Sequence, residues 1–264
     1  MNKSDKFKEL VKWANDQYEK HLPADLKANL NSEDRFKVWS KKIEDVKDIK
    51  DLLNPYFIGY GNPLSDILII GKELGFEISN KDQVINESLE NTFYWQCLNN
   101  GQVLDINHFK SPETPYGGIQ DDFPSGHTWR LYDKFIKNLG QEIRNGQSFL
   151  DYCFITEFNY APSQYSPGGV KIDPRRKNFL MHDYFKSFSK VLLTYRAYDK
   201  VKANQSLTEQ LFNVEFKTMG KCGNQTYLLY KSTDGQRTVV LTNQLSGSAG
   251  WSERELHELA ELFI

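Results

Sequence analysis

The sequence predicts an α/β protein in which helices cover both faces of a central, mostly parallel sheet of about four strands, a three-layer α/β/α arrangement. Two observations predict this fold. Residues 66–71 and 238–242 contain short, continuous apolar runs, which are typical of strands buried on both faces of a parallel sheet. Amphipathic helical patterns alternate with such runs, and alternating strands and helices pack most simply as a layered sheet.

The remaining elements follow from spacing and turn residues. In chain order, the prediction gives helices at 4–18 and 36–46, a strand at 66–71, a helical pattern at 86–98, a helix at 125–139, a strand at 149–158, a helix at 178–193, short strands at 199–203 and 227–231, a strand at 238–242 and a final helix after 252. The helices have apolar residues every three or four positions, such as Phe7, Leu10 and Val11. Ser252 and Glu255 form a capping-box pattern before the final helix.

Length and composition favour a single domain over residues 1–264, with an N-terminal helical extension at about 1–54. A chain of 264 residues is long enough for one large core and too short for two comfortable ones. The apolar fraction of 39% and the charged fraction of 26% are in the globular range. The net charge of −2 gives no overall attraction to nucleic acid, so DNA binding requires a local basic patch.

We expect a monomeric cytoplasmic protein without a membrane partner, a metal or another cofactor. No run of apolar residues approaches the length of a membrane span, and the N-terminus has no apolar signal core. The cysteines Cys97, Cys153 and Cys222 are far apart and odd in number, which favours reduced, partly buried thiols. The five histidines show no spacing typical of metal ligands.

Ligands of open parallel sheets bind beyond the carboxyl ends of the strands, which selects three loops. The first follows residue 71 and holds Lys72 and Glu73, a carboxylate that can activate a water molecule as a general base. The alternative is a turn with solvated charges. His127 precedes a helix beside the long segment that follows this loop and is a further candidate for substrate binding.

The second loop follows the strand at 149–158 and combines polar and aromatic groups that suit a flat heterocycle such as a flipped base. These groups include Glu157, Asn159 and Tyr160. The alternative is an aromatic strand end within the core. Downstream, a basic cluster is a candidate for phosphate contacts, or else a solvated face; its members are Lys171, Arg175, Arg176 and Lys177.

The third loop, residues 243–251, leads a strong strand into a helix N-terminus with small side chains. Such a loop suits a phosphate, and Ser246 and Ser248 are the candidate contacts. The alternative is an ordinary loop in which Ser252 acts only as the N-cap of the helix.

Four segments in this order resemble the uracil-DNA glycosylase superfamily. They are Gly-Asn-Pro-Leu-Ser-Asp-Ile-Leu-Ile-Ile-Gly-Lys-Glu-Leu-Gly at 61–75, Ser-Gly-His-Thr-Trp-Arg-Leu-Tyr-Asp-Lys-Phe-Ile-Lys-Asn-Leu-Gly at 125–140, Phe-Ile-Thr-Glu-Phe-Asn at 154–159 and Val-Leu-Thr-Asn-Gln-Leu-Ser at 240–246. The resemblance covers about residues 55–264. It implies a protein that binds DNA and excises a base by hydrolysing the N-glycosidic bond.

The resemblance also implies roles for individual residues. Lys72 or Glu73 would lie at the water-activating turn, and Leu245 would wedge the duplex while Ser246 holds a phosphate. The residues that would stack on the base are Phe93, Tyr94 and Tyr116.

Two positions depart from the family pattern. Asn243 or Gln244 stands where the family has a catalytic histidine that stabilises the departing uracil anion; an amide still donates a hydrogen bond. Glu157 stands where the family has a uracil-reading asparagine, and a carboxylate instead accepts from an amino group, as on cytosine or adenine derivatives. The three scattered cysteines do not match the four of the iron–sulfur branch.

Three functional hypotheses follow. The first is a divergent DNA glycosylase that excises a damaged or modified base. The second is a nucleic-acid or nucleotide-binding protein on the same fold without catalysis. The third is a small-molecule hydrolase or transferase that uses Glu73 or Glu157 as its base.

Overall fold

The structure is a computed structural model that describes residues 1–28, 35–45, 52–73, 85–101, 126–144, 148–161, 172–195, 207–246 and 249–264. Within these ranges the chain forms one mixed sheet flanked by helices. The helices are α1 (Lys3–Glu19), α2 (Ala24–Ala28), α3 (Arg35–Asp45), α4 (Asn91–Asn99), α5 (Gly126–Asn138), α6 (Pro174–Leu180), α7 (Leu207–Phe212) and α8 (Glu253–Glu261). A π-helical turn covers Ile85–Glu90, and 3-10 turns cover Phe149–Asp151 and Phe185–Ser187. None of the helices in the described ranges is long and apolar enough to cross a bilayer.

The sheet has seven described strands in the order β1-β3-β2-β4-β7-β6-β5. The strands are β1 (Tyr60–Gly61), β2 (Ile67–Glu73), β3 (Cys153–Asn159), β4 (Lys190–Leu193), β5 (Glu215–Cys222), β6 (Gln225–Lys231) and β7 (Thr238–Thr242). The central four, β3-β2-β4-β7, are parallel, whereas β1, β6 and β5 join antiparallel. The α/β class is confirmed, but the sheet is larger than the predicted four strands because antiparallel strands extend both of its edges.

Two elements differ from the prediction. The predicted helix at 178–193 is wrong, because the helix α6 ends at Leu180 and residues 190–193 form the strand β4. A short apolar run is compatible both with a buried strand and with a buried turn of helix. Residues 190–193 pair with β2 and β7 in the structure, and they therefore form a strand. The strand β5 was not predicted, because most of its side chains are exposed and give no apolar pattern. The predicted strand at 199–203 lies outside the described residues.

Side chains that alternate along the strands divide the core between the two faces of the sheet. Leu68 and Phe154 face α1 and α6, whereas Ile69 and Ile155 face α5 and α8. The helix α1 belongs to the first of these layers, since the ring of Phe7 lies 5.1 Å from Trp95, 5.9 Å from Phe154 and 5.0 Å from Tyr184. All three cysteines are free and buried, as predicted.

The segment that leads into β1 is held by side chains of α4. Oδ1 of the buried Asn91 accepts from the backbone N–H of Ile58 at 2.9 Å, and its Nδ2 donates to the carbonyl of Gly59 at 3.1 Å. Nε1 of Trp95 donates to the same carbonyl at 2.9 Å. Gly59 has a φ of +129°, and a β-carbon there would overlap the carbonyl oxygen of Ile155 in β3. Only glycine therefore lets this segment lie against the sheet.

We expect Gly59→Ala to lower the free energy of unfolding by more than about 2 kcal/mol, because it adds a backbone clash to the strain of a positive φ. The matched control is Gly235→Ala, which has a φ of +71° and open space at the β-carbon, and should cost about 1 kcal/mol. Urea unfolding followed by circular dichroism measures both. Equal losses in the two variants would contradict the proposed clash.

Candidate functional site

The order of the parallel strands creates a topological switch point between β2 and β4. The strand β3 follows β2 in the chain and lies on one side of it, whereas β4 lies on the other side and leads on to β7. In open α/β sheets, ligands bind outside the carboxyl ends of the strands at such a point. Gly71 and Glu157 lie near these ends in β2 and β3, and Thr194 directly follows β4. We call Gly71, Glu157, Thr194 and the nearby Tyr132 of α5 the switch-point site.

Glu157 and Gly71 form a matched pair across two strands. They are partners in the parallel register, and the Glu157 carboxylate lies so close over Gly71 that a β-carbon on residue 71 would overlap both of its oxygens. Glu157 is 7% exposed. By strand alternation it projects on the same face as Ile155, towards α5. A carboxylate is thus buried at the sheet end, where a glycine makes the room for it.

Tyr132 and Thr194 add hydroxyl groups to this face. The Tyr132 hydroxyl is buried and lies 3.5 Å from Oγ1 of Thr194. Thr194 in turn donates to the carbonyl of Ile70 at 3.2 Å, so Tyr132 is the donor in the pair. Burial, and then the negative charge of Glu157, raise the pKa of Tyr132, so the phenol stays protonated at neutral pH. The site therefore combines a buried acceptor with a buried donor.

Arg176, predicted as a phosphate contact, is instead fully buried and is not available to DNA in this structure. Its guanidinium donates to the carbonyls of Phe57 at 2.6 Å and Pro55 at 3.3 Å, and to Oγ1 of Thr156 at 2.7 Å. It also donates twice to the carbonyl of Glu157, from Nε at 2.9 Å and from Nη2. Arg176 thus joins the segment before β1 to the end of β3 and fixes the backbone of Glu157.

Arg175 points outward and belongs to a surface cluster with Asp173 and Tyr160. It forms a salt bridge with Asp173 at 2.9 Å and donates to the Tyr160 hydroxyl at 3.0 Å. The hydrogen bond from Arg175 lowers the pKa of Asp173. Because the Arg175 side chain is 43% exposed, it keeps access to a phosphate. Asn159 ends β3 beside this cluster and accepts from the backbone N–H of Ala161 at 3.3 Å.

The third predicted loop is partly described. Asn243 follows β7 and donates to the side chain of Gln225 at 3.4 Å, and the carbonyl of Gln244 accepts from Nε1 of Trp251 at 3.2 Å. Leu245 is fully buried against α5 and α8, so it does not project as a wedge in this structure. Ser246 is partly exposed.

The other sequence candidates lie around the sheet end or beyond the described residues. Lys72 is buried at the end of β2, and Glu73 is the last residue of that strand. Phe93 and Tyr94 are partly buried on α4, and the Tyr94 ring packs edge-on against Trp95. The positions that lie outside the described residues are Tyr116, Lys171 and Ser248, together with the side chains of Glu73 and His127.

Strand spacing sets the width of the candidate site. Neighbouring strands lie about 4.8 Å apart, so the backbones of Glu157 on β3 and Asn243 after β7 are separated by about 14 Å. Their side chains do not meet, and a ligand about the size of a nucleobase and its sugar is needed to bridge them. The geometry brings Gly71, Glu157, Thr194 and Tyr132 together and leaves Asn243 on the far side.

A cleft of about 250 Å³ lies at the opposite, amino ends of the strands, with Asn62, Asp66, Asp151 and Lys190 among its lining residues. Polar groups that line this cleft already form hydrogen bonds within turns. The carboxylate of Asp151 accepts from the backbone N–H of Ser148, and the amide of Asn62 donates to the carbonyl of Asp151. We therefore place the candidate site at the carboxyl ends.

No known family model, curated protein or solved structure matches this chain significantly. The geometry of the chain and the order of its sequence motifs are therefore the observations that bear on its function. Within the described ranges, no group of three or more His, Cys, Asp or Glu side chains is arranged to hold a metal ion.

Sequence reasoning missed Tyr132, Thr194 and the structural role of Arg176. Tyr132 lies three residues before the apolar Phe135 on the inward stripe of α5, so a polar tip on a buried stripe was the available signal. Thr194 directly follows the run of β4 that was assigned to a helix. Arg176 follows another arginine, Arg175, and the helix pattern does not indicate which of the two side chains is buried.

We expect Arg176→Met to lower the free energy of unfolding by about 3–5 kcal/mol, because it leaves buried carbonyl groups without their donor. The matched control is Arg175→Met on the same helix, which removes an exposed salt bridge and should cost at most about 1 kcal/mol. Thermal and urea unfolding measure both variants. Similar losses would show that Arg176 does not hold the end of β3.

We expect Gly71→Ala to lower the free energy of unfolding by about 2 kcal/mol, because the new methyl group displaces the Glu157 carboxylate. In a Glu157→Ala background the same change should cost at least about 1 kcal/mol less, since the clash is gone. A double-mutant cycle by urea unfolding measures this coupling. Additive losses would mean that the two side chains are not in contact.

Proposed function

We propose that this protein is a divergent DNA N-glycosylase, which binds DNA and hydrolyses the N-glycosidic bond of a damaged or modified base. The observation that carries the proposal is the buried Glu157 carboxylate over Gly71 at the switch point. Gly71 makes the room that lets this carboxylate lie at the sheet end, where its oxygens would contact the hydrogen-bonding edge of a base. The ordered motifs that resemble the uracil-DNA glycosylase superfamily support the same activity.

In this proposal the base leaves the duplex stack and enters the switch-point site, as enzymes acting on bases require. Glu73, at the carboxyl end of β2, activates the water that attacks C1′ of the sugar. Asn243 approaches the departing base from the far side. The exposed Arg175 contributes a phosphate contact, and the protein acts as a monomer on DNA.

A second candidate is a nucleic-acid-binding protein on the same fold that has lost catalysis. The observation that favours it is the side chain of Asn243, which already donates to Gln225 and cannot carry a positive charge. Both candidates bind DNA through phosphates and therefore predict affinity that falls steeply with salt. A small-molecule hydrolase predicts no such dependence.

The test is a gel assay with oligonucleotides that each contain one altered base, covering uracil, hypoxanthine, xanthine, oxidised pyrimidines and alkylated purines. We expect abasic product with the wild type and a loss of about 100-fold or more in single-turnover rate with Glu73→Gln, because a general base contributes about that much. Asn243→Ala should lower the rate as well. The control is Glu142→Gln, an exposed carboxylate near the amino end of β3, at the opposite end of the strands from the site, which should leave the rate unchanged.

Two outcomes contradict the glycosylase proposal. Salt-sensitive DNA binding without product on any substrate would favour the second candidate. The absence of both product and DNA binding would exclude a nucleic-acid function.

A further inference from the structure

The strand β5 lies at one edge of the sheet, with β6 on one side and no described strand on the other. Its pairing with β6 ends at Cys222 and Gln225, which a two-residue turn connects. The two residues of such a closing pair bond to each other, and the direction of bonding alternates along an antiparallel strand. The N–H and C=O groups of Met219 and Lys221 therefore point away from β6, along what we call the outer edge of β5.

The outer edge of β5 offers backbone groups to a further strand. At one end of it, the N–H of Phe216 donates to Oε1 of Glu209 at 3.0 Å. Further along, the N–H groups of Met219 and Lys221 have no acceptor among the described residues, and the carbonyl of Met219 accepts only from the hydroxyl of Thr218 at 3.4 Å. Unpaired backbone groups at a sheet edge are a template for pairing with another chain.

Two large apolar side chains are exposed beside this edge. Phe216 is 47% exposed and Met219 is 61% exposed. They pair with Tyr230 and Leu228 of β6, and directly opposed residues share a face of the sheet. Tyr230 and Leu228 are buried in the core, so the apolar layer of this face continues into Phe216 and Met219 and ends at the outer edge. An added strand would extend this layer and cover both side chains.

Lys221 adds a positive charge to the same face. It is exposed and pairs with Thr226, and it forms no salt bridge within the described residues. Lys217, by contrast, is already paired with Glu215 at 2.8 Å. Side chains two residues apart lie on one face of a strand. A strand that pairs here therefore fits best with an apolar side chain against Met219 and a carboxylate against Lys221.

A second copy of this chain fits the outer edge poorly. A β-bulge between Phe216 and Thr218 interrupts the edge, so the regular stretch is 218–222. Bulges and edge lysines are features that discourage pairing between copies. The stretch 218–222 contains no acidic residue, and a copy paired with it leaves each Lys221 without a carboxylate. The charge of the edge thus favours a different, acidic partner.

We infer that the outer edge of β5 is a docking site for another protein, which adds an extended segment to the sheet as a further strand. The segment has an apolar residue against Met219 and, two residues away, an acidic residue against Lys221. Backbone hydrogen bonds supply affinity, and the two side chains select the sequence. Because β7 and β6 lie between β4 and β5, the partner leaves the switch-point site free for the proposed substrate.

The test uses a fluorescent peptide probe, Thr-Glu-Thr-Val-Thr-Val-Thr-Glu-Thr, whose pattern is the same in both directions. The control probe has lysine in place of both glutamates. Fluorescence anisotropy measures affinity, and amide hydrogen exchange followed by NMR locates the bound probe. We expect the acidic probe to bind about threefold or more tightly than the basic probe, as an exposed ion pair allows, and to slow exchange at the N–H groups of Met219 and Lys221.

The variants separate the backbone from the side chains. Met219→Pro removes an outward N–H, which an edge strand tolerates, and should bind the acidic probe about fivefold more weakly than Met219→Ala, which keeps that N–H. Lys221→Glu should reverse the preference between the two probes, a result that loss of structure does not produce. The control is Lys231→Glu, which changes an exposed lysine on β6 and should leave the preference unchanged.

Three outcomes would overturn this inference. The first is no binding of either probe by the folded wild type. The second is a probe preference that is the same in the wild type and in Lys221→Glu, or protection confined to amides outside β5. The third is a wild-type dimer in sedimentation analysis that Met219→Pro dissociates, because the occupant of the edge is then a second copy. DNA binding is not needed for any of these measurements, so the proposed function is tested separately.

Discussion

The guanidinium of Arg176 is fully buried where the segment before β1, the end of β3 and the helix α6 meet. Burial lowers the pKa of Arg176 to about 9, while the charge of Glu157 raises it, so the group stays cationic at neutral pH. A buried charge persists only where enough acceptors surround it. Carbonyl groups of Phe57 and Glu157 meet this need, and they can do so only if the loop and the strand keep their positions. The geometry of the switch-point site therefore depends on a side chain on the other face of the sheet.

Much of the central fold could be predicted because each of its elements shows one clear sequence pattern. The run Ile67–Ile70 has no polar interruption, and the α8 helix begins with a complete capping box between Ser252 and Glu255. The strand β4 was not predicted because its short apolar run has no periodicity. The strand β5 was not predicted because an exposed antiparallel strand has little apolar pattern. Both are defined by their partners in the sheet, which the local sequence does not encode.

The residues of the candidate site also divide into those that the local sequence predicts and those that only the tertiary structure brings together. The position of Glu157 at a strand end followed from the sequence, since a buried strand must expose its last residues to a loop. Its partnership with Gly71 depends on the register between two strands far apart in the chain, and that of Tyr132 with Thr194 depends on how α5 crosses the sheet. Arg175 and Arg176 are chemically identical in sequence, and only the packing of α6 turns one inward and leaves the other outside.

The position of β7 has a consequence for synthesis on the ribosome. This strand is the last of the described strands in the chain, yet it lies between β4 and β6 in the middle of the sheet. Until it emerges, the β5–β6 hairpin has no strand to join, and β4 presents an unpaired, apolar edge. The edge of β4 then stays open from residue 193 until β7 is synthesised at residues 238–242, and during this interval it is exposed to aggregation.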